Sequence, residues 1–212
     1  MKHCVDNFKL LADVLFKTPL EKDEFYFLQI LVRGKDGNDV SGNNKNRLVK
    51  YYIVTSADEL LSLQHEVKGI CEVMNARAYI HPTRRNLKSV ANIAIELSTH
   101  TYVSQNWIGL RGAYSTAAGK SFVKRDKKYI VDIDDATENS PIVDDIKNQI
   151  FELYGKGGRD TDKVFAVVPT KSGVHLITHP FDTDTFKELY PSIDVHKNNP
   201  TLLYYAWDDE NS

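Results

Sequence analysis

Three carboxylates and a histidine stand at spacings that could handle a divalent cation and a phosphate. The stretch Tyr129-Ile130-Val131-Asp132-Ile133-Asp134-Asp135 opens as an apolar strand and ends in alternating acids. Side chains two apart on a strand share a face, so Asp132 and Asp134 are expected side by side. Parallel carboxylates repel unless a cation sits between them, and oxygen donors of this kind suit Mg²⁺ or Mn²⁺. A strand end running into a solvated acidic turn is the alternative. Against it, Asp132 follows a run expected to be buried, where an unpaired charge is costly. Asp135 points to the opposite face, as a helix cap or a solvated group.

Some forty residues on, Lys171-Ser172-Gly173-Val174-His175-Leu176-Ile177 places a histidine just inside a second apolar strand, after a small turn. A flexible turn with free backbone N–H groups, a hydroxyl and an imidazole suits a phosphate; a plain hairpin is the alternative. In Pro191-Ser192-Ile193-Asp194-Val195-His196-Lys197-Asn198-Asn199, a third acid, Asp194, is followed three residues later by Lys197. That pair could complete a metal site and neutralise a phosphate, or form a polar loop before the last strand. Basic residues cluster at Arg77-Ala78-Tyr79, at His81-Pro82-Thr83-Arg84-Arg85 with Lys88, and at Arg111, Lys120, Lys124, Arg125, Lys127 and Lys128. Such groups could hold a nucleic-acid backbone, with a solvated charged face as the bland reading of each.

The elements that must position these residues are legible in outline. Val5, Phe8, Leu11, Ala12 and Leu15 predict a helix within residues 5–16. Phe25 to Val32 and Leu48 to Val54 read as a hairpin whose long tip holds Gly34, Gly37, Gly42 and the Asn43 to Asn46 run. Ser56 and Glu59 form a capping box before a helix with Leu60, Leu63, Val67, Ile70 and Cys71 on one face. Ala76 to Ile80 is a strand, and Thr83 is expected to cap a helix striped by Leu87, Val90, Ala91, Ala94 and Leu97. From Asn106 to Phe122 the pattern fades, which marks a candidate substrate loop and internal boundary.

The second half is more regular. Lys128 to Asp134 is a strand, and Ser140-Pro141 opens a helix that Gly155 to Gly158 end. Val164 to Pro169 and Val174 to His179 are strands; a helix from Asp182 or Thr183 and a last strand, Thr201 to Trp207, follow. The order β-α-β-β-α-β predicts an α+β fold with a ferredoxin-like or RRM-like sheet over residues 125–212. An N-terminal α/β unit over 1–105 and a loop over 106–124 complete a single domain.

At 212 residues with net charge −2, the chain can bury a core but has no global basic signature. Its two cysteines, Cys4 and Cys71, are far apart, so neither a disulfide framework nor a cysteine zinc site is indicated. No apolar run approaches a membrane span or a signal peptide, and a cytoplasmic protein is expected. Walker, GxGxxG, HExxH and GxSxG patterns are absent from the sequence.

Taken in order, the three motifs resemble the archaeo-eukaryotic primase, or primase-polymerase, superfamily. That family carries a DxD or DxE strand, then a hairpin with an S/G-x-H motif, then a third acid near a basic residue. Here these are Asp132 and Asp134; Ser172-Gly173-Val174-His175; and Asp194 with Lys197. Gly173 stands two residues before His175, so Ser172 is one residue further away than a serine-x-histidine pattern needs.

The resemblance covers roughly Lys128 to Tyr205 and implies a nucleotidyltransferase. Asp132, Asp134 and Asp194 would hold two divalent ions, Mg²⁺ or Mn²⁺, with His175 in the catalytic set. Ser172, Gly173, His175 and Lys197 would grip a nucleoside triphosphate, and Arg84, Arg85 and Arg111 would touch a single-stranded or primed template. A helicase or other replication protein is the partner such an enzyme implies. Alternatives from other classes are a non-catalytic single-strand-binding replication accessory protein, which would not need the acids, and a metal-dependent nuclease.

Overall fold

The computed structural model describes residues 2–38, 46–153 and 163–208. The hairpin-tip residues Gly42 to Lys45 and the Gly155 to Gly158 helix stop lie outside the described residues. The first half runs β1 (Lys2–Asp6), α1 (Phe8–Leu15), β2 (Glu24–Arg33), β3 (Asn46–Val54), α2 (Ala57–Ser62), α3 (Gln64–Met74), β4 (Ala76–Ile80), β5 (Arg85–Asn86) and α4 (Leu87–Val103). It continues with α5 (Ala113–Lys120), β6 (Tyr129–Asp134), α6 (Pro141–Glu152), β7 (Val164–Pro169), β8 (Gly173–Thr178), α7 (Thr183–Leu189), β9 (Asp194–His196) and β10 (Thr201–Asp208).

These strands make two antiparallel sheets in an α+β fold. The larger has the order β1-β10-β4-β2-β3, with β5 on β2, and the smaller has the order β7-β8-β6-β9. β2 is apolar over most of Phe25 to Val32 because both its faces are covered. Tyr26, Leu28, Ile30 and Val32 pack with Phe8 and Leu11 of α1, Leu60 of α2 and Val67 of α3. Phe25 and Phe27 point the other way, onto Val90 of α4 and Ala117 and Ala118 of α5. β6 divides differently. Val131 and Ile133 join Val143, Ile146 and Ile150 of α6 and Phe186 of α7 in a second core, which leaves Asp132 and Asp134 on the opposite face. Among the described residues no helix is long and apolar enough to cross a membrane.

The capping box forms: the Glu59 N–H donates to Ser56 Oγ at 3.1 Å, and the Thr55 N–H donates to Glu59 Oε2 at 2.7 Å. Four expectations need correction. Val5 lies in β1, paired with Tyr205, and the helix begins only at Phe8. Before it, the Asn7 amide donates to the carbonyls of Pro169 and Leu202, both at 2.9 Å, and so ties the two sheets together. The cap of α4 is Asn86, whose Oδ1 accepts the Ser89 N–H at 3.1 Å; Thr83 instead accepts the Lys128 N–H at 3.0 Å.

The 106–122 stretch is not an unstructured loop. It forms a 3₁₀ turn at Trp107–Gly112 and then α5. Alanines make its buried face, and small side chains let the helix lie close on Phe25 and Phe27 without a visible apolar stripe. Finally, β10 does not close the sheet of the second half. It pairs with β1 and β4 in the larger sheet, and the fourth strand beside β6 is the short β9.

Candidate active site

Strand register builds the site. Asp132 is paired with His175 across β6 and β8 and with Asp194 across β6 and β9. Directly opposed residues of antiparallel strands share a face, so His175, Asp132 and Asp194 form one row over three strands. Asp134 stands one pleat further along, opposite Gly173. His175, Asp132, Asp194 and Asp134 all border a cleft of about 730 Å³ between the two sheets, and Ser172, the neighbour of Gly173, stands at its rim. The facing wall, from the larger sheet, holds Arg33 from β2, Lys35 and Asp36 after it, and Arg77 and Tyr79 from β4; Lys171, from the β7–β8 turn of the smaller sheet, also lines the cleft.

On the acidic wall, His175 Nε2 is 3.3 Å from Asp132 Oδ1 and His196 Nε2 is 4.0 Å from Oδ2. His175 Nδ1 is 2.9 Å from Thr201 Oγ1. Nε2–H can donate to Asp132 while Nδ1 meets the threonine hydroxyl. Burial works against ionisation of Asp132. The hydrogen bond from His175 and the positive fields of His175, His196 and Arg33 outweigh it and hold the carboxyl below its ordinary range.

On the basic wall, Arg33 Nη1 donates to Tyr79 Oη at 2.9 Å. Arg77 grips Asp36 bidentately, with Nε donating to Oδ2 at 2.8 Å and Nη2 to Oδ1. Arg77 is thereby largely neutralised, whereas Arg33 is held by a hydroxyl and keeps its charge for the cleft.

The turn beside His175 is tightly specified. A Cβ on Gly173 would lie 2.0 Å from the Ile133 carbonyl oxygen, so only glycine lets β8 approach β6 there. The Gly173 N–H donates to Thr170 Oγ1 at 3.0 Å and the Asp135 N–H donates to the Ser172 carbonyl at 2.7 Å. The expectation that Gly173 offers a free N–H to phosphate is therefore corrected. Ser172 is exposed at the cleft rim with its hydroxyl available.

Other expectations fall away on placement. Lys197 does not line the cleft: its Nζ lies 5.8 Å from the Tyr129 ring, on the side of the second core. Arg84 is buried, with Nη2 donating to the Thr18 carbonyl at 2.9 Å and Nη1 to Glu24 at 3.4 Å. Arg85 is fully buried, with Nη1 donating to the Ser121 carbonyl and Nη2 to His81 Nδ1 at 2.6 Å and Asn198 Oδ1 at 2.9 Å. Burial pushes its pKa down to about 10 and, with the Arg85 charge, that of His81 well below the usual histidine range. Neither arginine has a surface to offer a template; both are structural. Arg111 stands exposed on the 107–112 turn and takes no part in the cleft lining.

The carboxylates suit a hard cation in chemistry and in shared face. As they stand, no three His, Cys, Asp or Glu side chains among the described residues are gathered into a metal cluster. Sequence reasoning missed Arg33, His196 and Thr201 as site residues. Arg33 ends an apolar strand and carried no motif; Arg77-Ala78-Tyr79 was visible only as one basic group among several. No family model, curated protein or solved structure matches this chain.

Proposed function

We propose that this protein is a metal-dependent nucleotidyltransferase of primase-polymerase type, extending a nucleic-acid strand from nucleoside triphosphates. The observation that carries the reading is the His175–Asp132–Asp194 row, with Asp134 beside it, lining one cleft together with Arg33, Lys35 and Lys171. Acids on one wall and cations on the other match a triphosphate that needs both metal and phosphate contacts. The smaller sheet also supports it. Its element order β6-α6-β7-β8-α7-β9 and strand order β7-β8-β6-β9 are those that a split β-α-β, RRM-like core would have.

In this reading Asp132, Asp134 and Asp194 would hold two divalent ions, Mg²⁺ or Mn²⁺, whose chemistry would be to make a 3′-hydroxyl more acidic and to offset the triphosphate charge. Arg33 and Lys171, with the Ser172 hydroxyl, bind the phosphates in the role expected of Lys197. His175, anchored by Thr201, orients the Asp132 carboxylate. The 3′-oxygen forms its bond to the α-phosphorus as pyrophosphate leaves.

The test is extension of a labelled primer on a template with NTPs or dNTPs, in Mg²⁺ and in Mn²⁺. Extension that disappears in the Asp132→Ala/Asp134→Ala variant supports the reading; a purified, folded protein that extends nothing with either metal overturns it.

A further inference from the structure

The face of the larger sheet continues beyond the cleft as a run of stacked flat groups. Tyr205 and Trp207, two apart on β10, have ring centroids 5.4 Å apart and planes 17° from parallel. His3 of β1, paired with Trp207 across the sheet, adds a third ring at 5.9 Å and 23°. At the other end the Arg77 guanidinium lies 4.2 Å from the Tyr205 ring. Lys171 Nζ reaches over both rings, 5.8 Å from Tyr205 and 5.7 Å from Trp207. Tyr205 is buried beneath this cover, whereas Trp207 is part-exposed and His3 exposed. Since Arg77 and Lys171 also border the cleft, the stack and the cleft form one continuous surface.

We infer that this stack is the landing platform for a single-stranded nucleic acid, which enters the cleft past Lys171. The inference deepens the nucleotidyl-transfer reading and rests on it for the strand's destination. Adjacent ring centroids in the stack are 5.4 and 5.9 Å apart, wider than the roughly 3.4 Å base rise of a duplex strand. Bases meeting Trp207 and its neighbours are therefore unstacked from one another, as only a single strand permits. An indole face accepts any base, which suits a template of arbitrary sequence. A lysine poised over the rings supplies the phosphate contact that a bound sugar chain would not need.

The experiment uses Trp107→Phe protein, in which Trp207 is the sole indole, titrated with an oligothymidylate in low salt without metal or nucleotide. Saturable quenching of Trp207 that is reversed by salt is expected. Anisotropy of a labelled oligothymidylate should show at least fivefold weaker binding for Trp207→Ala and for Lys171→Glu. Trp207→Phe, which keeps a ring in β10, should bind within a few-fold of the parent and guards against misfolding as the cause.

Silent Trp207 fluorescence at saturating oligothymidylate, or parental affinity in both weakened variants, overturns the inference. So does quenching by a cello-oligosaccharide but not by the oligonucleotide. Binding must persist in Asp132→Ala/Asp134→Ala protein. Binding without any primer extension leaves the platform standing and removes the polymerase, and extension with a silent Trp207 does the reverse.

Discussion

The two walls of the cleft are assembled in opposite ways. The acidic wall comes from three neighbouring strands of one sheet, and a single register line carries His175, Asp132 and Asp194 together. The basic wall is gathered from the end of β2 and the middle of β4, segments far apart in the chain. Alternation within a strand and pairing between strands are local rules, so acids placed by them keep their relation wherever the sheet goes. Cations delivered by separate segments depend on how two sheets are set against each other. The most conspicuous basic run, Arg84-Arg85, is accordingly an internal brace, and the useful arginine is the inconspicuous Arg33.

The largest expected effect breaks the acidic wall. Asp132→Asn should lower the primer-extension rate by roughly a thousandfold, the scale of removing a principal charge from a reaction centre, with folding unchanged by circular dichroism. Retention of most activity would detach the row from chemistry. Next, Gly173→Ala should push β8 away from β6 and cost on the order of 3 kcal/mol of stability in a denaturant titration. A variant as stable as the parent would show that the register at this turn can slip.

The basic wall is sharpened by a paired test. Arg33→Ala should raise KM for the nucleoside triphosphate roughly tenfold, as the loss of a charged hydrogen bond does, while Lys197→Ala leaves it unchanged. The reverse ranking would restore the assignment made from motif order.

The smallest effect concerns the brace behind the cleft. His81 is kept neutral by burial and by Arg85. Below its ordinary value of about 6.5 the unfolded chain takes up a proton that the folded protein refuses, so stability falls as pH falls. The slope approaches about 1.4 kcal/mol per pH unit. Melting temperatures at pH 7.5 and 5.5 should differ less in His81→Gln than in the parent; an equal drop in both would assign the acid sensitivity elsewhere.

Much of the fold was readable because its signals are short-range. The apolar run of β2, the alternation at the end of β6, the capping box at Ser56 and the stripe of α6 each needed only a few consecutive residues. The signals that failed were those in which a small or polar residue does a packing job. α5 hides behind alanine and glycine, and β9 is three residues with no apolar run. The last strand, β10, looked like any other strand, and nothing local said which sheet it would join. The site shows the same division: Asp132, Asp134, Asp194 and His175 were visible as motifs, while Lys197 was assigned by proximity in the chain and proved to face the other side.

The sequence by itself determined which side chains of β6 and β8 share a face, because a strand alternates with a period of two wherever it is placed. It also determined that Gly173 is small, though not why. Only the tertiary structure decided that Arg33 confronts Asp132, that Arg84 and Arg85 are buried, and that β10 carries Tyr205 and Trp207 alongside Arg77 and Lys171. Those relations join segments separated by dozens of residues. They follow from the packing of two sheets about a shared core, whose energy is non-directional and sums over many contacts. No local pattern encodes them.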